Sequence, residues 1–132
     1  MKWFPKPTLV PAFAILLLSS SLAFASGVTN LTSTDAKSLL ARNPKIYVLD
    51  VRTPEEYRQA YLKGSHLIPL GELERRVAEV PRQKPVLVYC SVGQRSLVAA
   101  QYLASRGYKE IYQISDGLIG WYRKGYPIER GR

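Results

Sequence analysis

Past residue 26 the chain alternates between segments with apolar residues at helical spacing and short runs that are apolar almost throughout. In "STDAKSLLAR", Ala36, Leu39 and Leu40 share one helical face, and Ser33 or Thr34 can cap it. "KIYVLDV" follows as a short β-branched run, Ile46 to Val51, with the character of a buried strand. In "TPEEY" Thr53 can cap a helix, Pro54 suits its first position, and Glu56 completes a capping box three residues after the cap. "HLIPL" reads as a weak strand closed by Pro69, and "LGELERRVAEV" as an amphipathic helix through Leu70, Leu73, Val77 and Val80. "VLVYC" is the most apolar strand. "QRSLVAAQYLASRGY" then places Ala99, Ala100, Leu103 and Ala104 on one small-residue face and stops at Gly107. "EIYQI" reads as a last strand and "DGLIGWYRKG" as a short helix anchored by Trp121.

This alternation predicts an α/β fold with a mostly parallel central sheet of about five strands, flanked by helices on both faces and joined by right-handed crossovers. Ligands of such sheets gather at the carboxyl ends of the strands. Cys90 ends the most apolar strand and lies at one of those ends.

Residues 1–25 stand apart from this pattern. Lys2 and Lys6 precede the acid-free run "LVPAFAILLLSSSLAFA", which ends in Ala23-Phe24-Ala25, the small-x-small pattern of a secretory cleavage site. Cleavage after Ala25 is expected, leaving one domain over residues 26–132, exported to the periplasm or secreted. An uncleaved anchor is the competing reading. Against it, Thr8 to Ala25 is barely long enough to span, and Pro11 and the three serines Ser19 to Ser21 interrupt it. No stable membrane insertion is therefore expected after cleavage.

Without Lys2 and Lys6 the formal charge falls from +9 to +7, still distinctly basic. The basic residues are scattered rather than clustered, and export makes nucleic acid an improbable partner, so small anions fit best. A solubilising surface accounts for most of these charges. One cysteine cannot form an internal disulfide, and one cysteine with one histidine cannot build a structural metal site. No metal and no cofactor are expected. The thiol of Cys90 is either an inert core group or a reactive one.

The residues after Cys90 favour reactivity. Ser91, Val92, Gly93 and Gln94 can curl so that successive N–H groups point inward, with Gly93 permitting the turn. The N-terminus of the following helix adds free N–H groups and a positive dipole end, and Arg95 can close one side of this anion cradle. A thiol at its mouth should lose its proton easily without a neighbouring base. Ser96 is expected as a helix-start hydrogen-bonder near Cys90.

The blocks "LDVRTPEEY", "GSHLIP", "CSVGQRS" and "DGLIGW", in this order and spacing, resemble the rhodanese (thiosulfate sulfurtransferase) domain over nearly all of residues 26–132. The resemblance implies that Cys90 takes the outer sulfur of thiosulfate, holds it as a persulfide within the loop from Ser91 to Ser96, releases sulfite, and passes the sulfur to cyanide or a thiol acceptor. The chain departs from the family pattern at Ala60-Tyr61-Leu62, where many members carry Gly-His-Ile, and at Asp116-Gly117-Leu118, where many carry Asp-Gly-Gly. Both departures concern the sheet edge and the rim rather than the loop.

The supporting residues divide less cleanly. Asp50 and Arg52, at the end of a neighbouring strand, either line the cleft or pair with each other and fix the loop. Asp50 leans to the structural role and Arg52 to neither. His66 reads as a structural residue at a strand end, and Trp121 and Tyr122 as core or surface aromatics rather than a substrate platform. Two other functions compete with sulfur transfer: a non-catalytic sulfur-carrier or redox module, and a cysteine phosphatase or arsenate reductase. Related phosphatases have one residue more between cysteine and arginine, and a smaller ring suits a single sulfur better than a phosphoryl group.

Overall fold

A computed structural model of the 132-residue chain describes residues 2–8 and 27–131. The expected cleavage site at Ala25 and the apolar run before it lie outside the described residues. The element order is β1 (Val28–Leu31), α1 (Ser33–Arg42), β2 (Tyr47–Asp50), α2 (Pro54–Gln59), β3 (His66–Leu67), α3 (Leu70–Arg76) with a 3-10 turn (Val77–Glu79), β4 (Val86–Tyr89), α4 (Gln94–Ser105), β5 (Ile111–Ile114) and α5 (Gly117–Arg123). The five strands form one sheet in the order β1-β5-β4-β2-β3, and every pairing is parallel.

Alternation along the central strands divides the core in two. Val86, Val88 and Cys90 of the β4 segment face one side with Leu49, Val51 and Ile111, where Leu73 of α3 and Ala99, Ala100 and Leu103 of α4 cover them. Leu87 and Tyr89 face the other side with Val48 and Ile114, under Ala36 of α1 and Leu118 and Trp121 of α5. Helices therefore lie on both faces, and the all-apolar β4 is buried from each. The small-residue face of α4 lets that helix approach the sheet closely.

Local chemistry accounts for the helix ends. Thr53 and Glu56 complete the reciprocal capping box of α2, with Pro54 at its start. The cap of α1 is Thr32, whose side chain accepts from the Asp35 N–H, not Ser33 or Thr34. Ser33 is instead held by Asp116, through its N–H at 2.8 Å and its hydroxyl at 2.7 Å. The helix expected to run to Val80 ends at Arg76 and tightens into the 3-10 turn. Strand β1 has no counterpart among the strands read from the sequence. Val28 and Leu31 are its only apolar residues, and as an edge strand it needs no continuous apolar run.

Candidate active site

Strands β2 and β4 are neighbours that end level, Asp50 opposite Tyr89, so α2 and α4 start side by side at the carboxyl edge of the sheet. Cys90 follows β4 directly, continues its alternation toward α4, and is fully buried. Its Sγ accepts from the N–H of Gly93 at 3.1 Å and of Ser96 at 3.3 Å, and lies 3.4 Å from Ser96 Oγ.

Two glycines make this curl possible. Gly93 has φ +96, and a side chain there would overlap the Ser115 carbonyl. Gly117 has φ +62, and a side chain there would strike the Ser91 carbonyl and the Val92 nitrogen. The close approach of α5 has a purpose in the hydrogen-bond pattern. Leu118 N–H donates to the Cys90 carbonyl at 2.9 Å and Ile119 N–H to the Ser91 carbonyl at 3.1 Å. With those carbonyls held from outside, the loop's own N–H groups are left to face the sulfur.

The thiol is shifted below its ordinary pKa. Burial works against the thiolate, and the Ser96 hydroxyl with the N–H groups of Ser96, Val92 and Gly93 outweighs it. The hydrogen-bond cage is what offsets the cost of burial. The Arg95 guanidinium points to Glu56, with Nη1 donating to Oε1 at 2.8 Å and Nη2 to Oε2 at 2.9 Å, and Nη2 also lies 3.3 Å from Ser91 Oγ. Ser91 Oγ donates to Glu56 Oε2 at 2.7 Å. These bonds, the Arg95 contacts first, pull the Glu56 carboxyl down to about 2 against a smaller opposing effect of burial. Arg95 thus ties the loop to α2, and its charge is matched by a carboxylate.

The remaining residues separate by role in the geometry. The side chains of Val92 and Gln94 are exposed; Val92 contributes its main-chain N–H to the ring, and Gln94 opens α4. Ser96 is fully buried, as is Asp50. Arg52 binds both oxygens of Asp50, Nη2 at 2.6 Å and Nε at 3.0 and 3.1 Å, and donates to the Ala60 carbonyl at 2.6 Å. The two form an internal ion pair that fixes the β2–α2 corner, while the edge of Arg52 also borders the neighbouring cleft. The His66 ring stacks on Tyr47 with centroids 4.4 Å apart. Trp121 is buried in the core and Tyr122 is largely exposed.

A family model described as the rhodanese-like domain matches residues 32–124. The chain belongs to the rhodanese-like family. A sulfurtransferase of Allochromatium vinosum is 32% identical over 101 residues, covering 76% of this chain and 94% of that protein. The thiosulfate sulfurtransferase GlpE of Vibrio cholerae is 28% identical over 95 residues, 72% of this chain and 90% of GlpE. The crystal structure of a rhodanese-related protein from Thermoplasma volcanium matches with a TM-score of 0.68 at 31% identity, covering 76% of this chain and 96% of that one. Residues 32–124 thus form a rhodanese-like domain of the sulfurtransferase family, and the fold matches that of its solved relative.

Two residues of this rhodanese-like site escape a reading of the sequence. Glu56 has a complete local explanation as the capping-box acid, which conceals its second partner 39 residues away. Gln113, buried in β5, accepts from Ser96 Oγ at 2.7 Å and donates to Asn30 Oδ1 at 2.8 Å, forming a polar chain that ends at the sulfur. Its one signal is a glutamine within the otherwise apolar and aromatic run "IYQI".

Proposed function

We propose that this domain transfers the outer sulfur of thiosulfate, through a Cys90 persulfide, to a thiol or cyanide. The observation that carries this reading is the pair of inward N–H groups, Gly93 and Ser96, at 3.1 and 3.3 Å from a thiol whose pKa is lowered. In the first half-reaction the thiolate attacks the outer sulfur. A new S–S bond forms to Cys90, the S–S bond of thiosulfate breaks, and sulfite departs with the electron pair. The outer sulfur becomes the anionic end of the persulfide, and a ring of N–H donors suits that charge. In the second half-reaction an acceptor thiolate takes this sulfur, breaking the bond to Cys90 and regenerating its thiolate. Atoms and charge balance in both steps with no added oxidant, reductant or cofactor.

Intact-mass measurement tests the first half-reaction. Thiosulfate is expected to add about 32 Da to the wild type, removable by cyanide, and nothing to Cys90→Ser. Turnover by Cys90→Ser would overturn the reading. A protein that loads but does not release sulfur to any small acceptor would be a carrier. Aryl-phosphate hydrolysis should be negligible, because four residues between Cys90 and Arg95 leave a ring too small for the three equatorial oxygens of a phosphoryl transition state.

Export to the periplasm is part of the same proposal, supported by Lys2, Lys6, the apolar run and Ala23-Phe24-Ala25. No helix among the described residues is long and apolar enough to cross a membrane. Cell fractionation with amino-terminal sequencing tests it, and a chain beginning at Ser26 in the periplasmic fraction is the expected result.

A further inference from the structure

Beside Ser91 the surface opens into a cleft of about 360 Å³, far larger than cyanide or thiosulfate can fill. One wall is α5, through Leu118, Ile119, Tyr122 and Arg123, and the carboxyl-terminal segment also lines the cleft, through Ile128 and Arg130. That segment is pinned in place. Tyr61 and Glu129 exchange both main-chain hydrogen bonds, at 2.9 and 2.8 Å, Gly131 N–H donates to the Arg58 carbonyl at 2.9 Å, and Trp121 Nε1 donates to the Pro127 carbonyl at 2.9 Å. Extended pairing at Glu129 turns Ile128 and Arg130 to the same side, which is the side of the cleft. Ile119 and Tyr122 remain exposed, at 41% and 58%, and give the mouth of the cleft an apolar lining.

The charges in this lining have one sign. Arg52 is neutralised by Asp50, whereas Arg123 and Arg130 have no carboxylate partner among the described residues. Among the described residues no acidic side chain lines the cleft. Because Ile119 donates to the Ser91 carbonyl, this wall is joined to the loop that carries Cys90. A ligand in the cleft meets the loop at Ser91, apolar side chains at Leu118, Ile119 and Ile128, and the two cations Arg123 and Arg130.

Resting on the sulfur-transfer reading, we propose that this cleft binds the acceptor, and that the acceptor class is an aliphatic thiol ending in a carboxylate, selected by Arg123 and Arg130. The acceptor thiolate attacks the outer sulfur of the Cys90 persulfide, leaves as the acceptor's own persulfide, and returns Cys90 as thiolate. The apolar chain displaces water from Leu118, Ile119 and Ile128, and the carboxylate meets the two guanidinium groups in charge-assisted hydrogen bonds.

The experiment begins with protein already loaded by thiosulfate and verified by mass, so a failure of the sulfur-transfer reading shows at that stage and is distinct from a failure here. Sulfur release is then followed with two terminal thiols of equal chain length, mercaptohexanoate and mercaptohexanol. The wild type is expected to favour the carboxylate in kcat/KM by about tenfold, the scale of one good charge-assisted contact. Arg123→Gln and Arg130→Gln should each reduce that ratio and the double variant abolish it, through KM for the carboxylate. Lys109→Gln removes the same charge at the opposite end of the sheet and should leave the ratio standing. Equal use of both thiols by the wild type would overturn the proposal, as would an equal loss of preference in Lys109→Gln. A preference that disappears as protein concentration rises would assign the cleft to a second copy of the chain and also overturn it.

Discussion

Glu56 on α2 and Arg95 on α4 meet in a two-pronged ion pair, with Nη1–Oε1 at 2.8 Å and Nη2–Oε2 at 2.9 Å, directly over the loop that encloses Cys90. Helix α2 has no buried residue, so this pair and the Ser91–Glu56 bond are prominent among its ties to the loop. The pair exists because β2 and β4 are adjacent and end level, which places two helix starts next to each other. Its partners are about one-third exposed, 36% for Arg95 and 31% for Glu56, so water screens the attraction.

Acid should weaken this tie over a defined interval. The Glu56 carboxyl is held near 2 in the folded chain, below its ordinary value of 4.5. The resulting stability is fully present above pH 4.5 and is lost as pH falls toward 2. After allowance for screening it is on the order of 1 kcal/mol. Urea denaturation of Glu56→Gln should show that loss at neutral pH and a flatter pH dependence in the acid interval. An unchanged acid limb would mean that other carboxylates govern it.

Gly93→Ala tests the cradle itself. The residue has φ +96, and the added methyl would overlap the Ser115 carbonyl. The left-handed backbone alone costs a non-glycine residue about 1–2 kcal/mol, and the overlap adds to it. The variant should therefore unfold at lower urea concentration by at least that amount. Any folded fraction should fail to load sulfur from thiosulfate, since relieving the overlap moves the Gly93 N–H away from Sγ. Normal loading would show that this N–H does not set the position of the sulfur.

How much of this was legible follows from the range of each signal. Periodicity marks β2, β4, β5 and α4 because each buries a continuous face, and the capping box marks α2 because its chemistry is complete within four residues. Cys90, Gly93 and Ser96 are likewise near neighbours, so the curl around the sulfur can be read from spacing. Strand β1 is hidden because an edge strand with Thr29 and Asn30 at its centre lacks a buried run. Long-range pairings leave no spacing to read. Glu56 with Arg95, Gln113 with Asn30, and Ser33 with Asp116 are set by strand order alone. Arg95 shows the consequence: the sequence presents a free cation beside the thiol, and the fold supplies its counter-charge.

Asp50 and Arg52 should behave as a buried unit. Asp50 has no exposed surface and Arg52 is 4% exposed, so Arg52→Met leaves a carboxylate without its cation in the core. That should cost about 3–5 kcal/mol, while the double variant Asp50→Leu with Arg52→Met should recover much of the loss. Denaturant midpoints of the three proteins check this. A double variant no better than Arg52→Met would show that the bond to the Ala60 carbonyl, rather than the pair, holds the corner.

The last prediction concerns the proton on Cys90. Ser96 Oγ lies 3.4 Å from Sγ and gives its hydrogen to Gln113 Oε1 at 2.7 Å, while Gln113 is itself oriented by Asn30. In the thiol state Ser96 can accept from S–H, but to stabilise the thiolate its hydroxyl must turn and donate to sulfur, giving up the bond to Gln113. The two acceptors compete for one hydrogen. Ser96→Ala removes a donor available to the thiolate and keeps the Ser96 N–H, so the pH midpoint of iodoacetamide alkylation should move up and the rate at neutral pH should fall. Gln113→Leu removes the competing acceptor, and the midpoint should move down. Opposite shifts in these two variants separate hydrogen-bond competition from simple loosening of the loop, which would expose the thiol and change both rates in the same direction. Parallel shifts would remove Gln113 from any part in setting the acidity of Cys90.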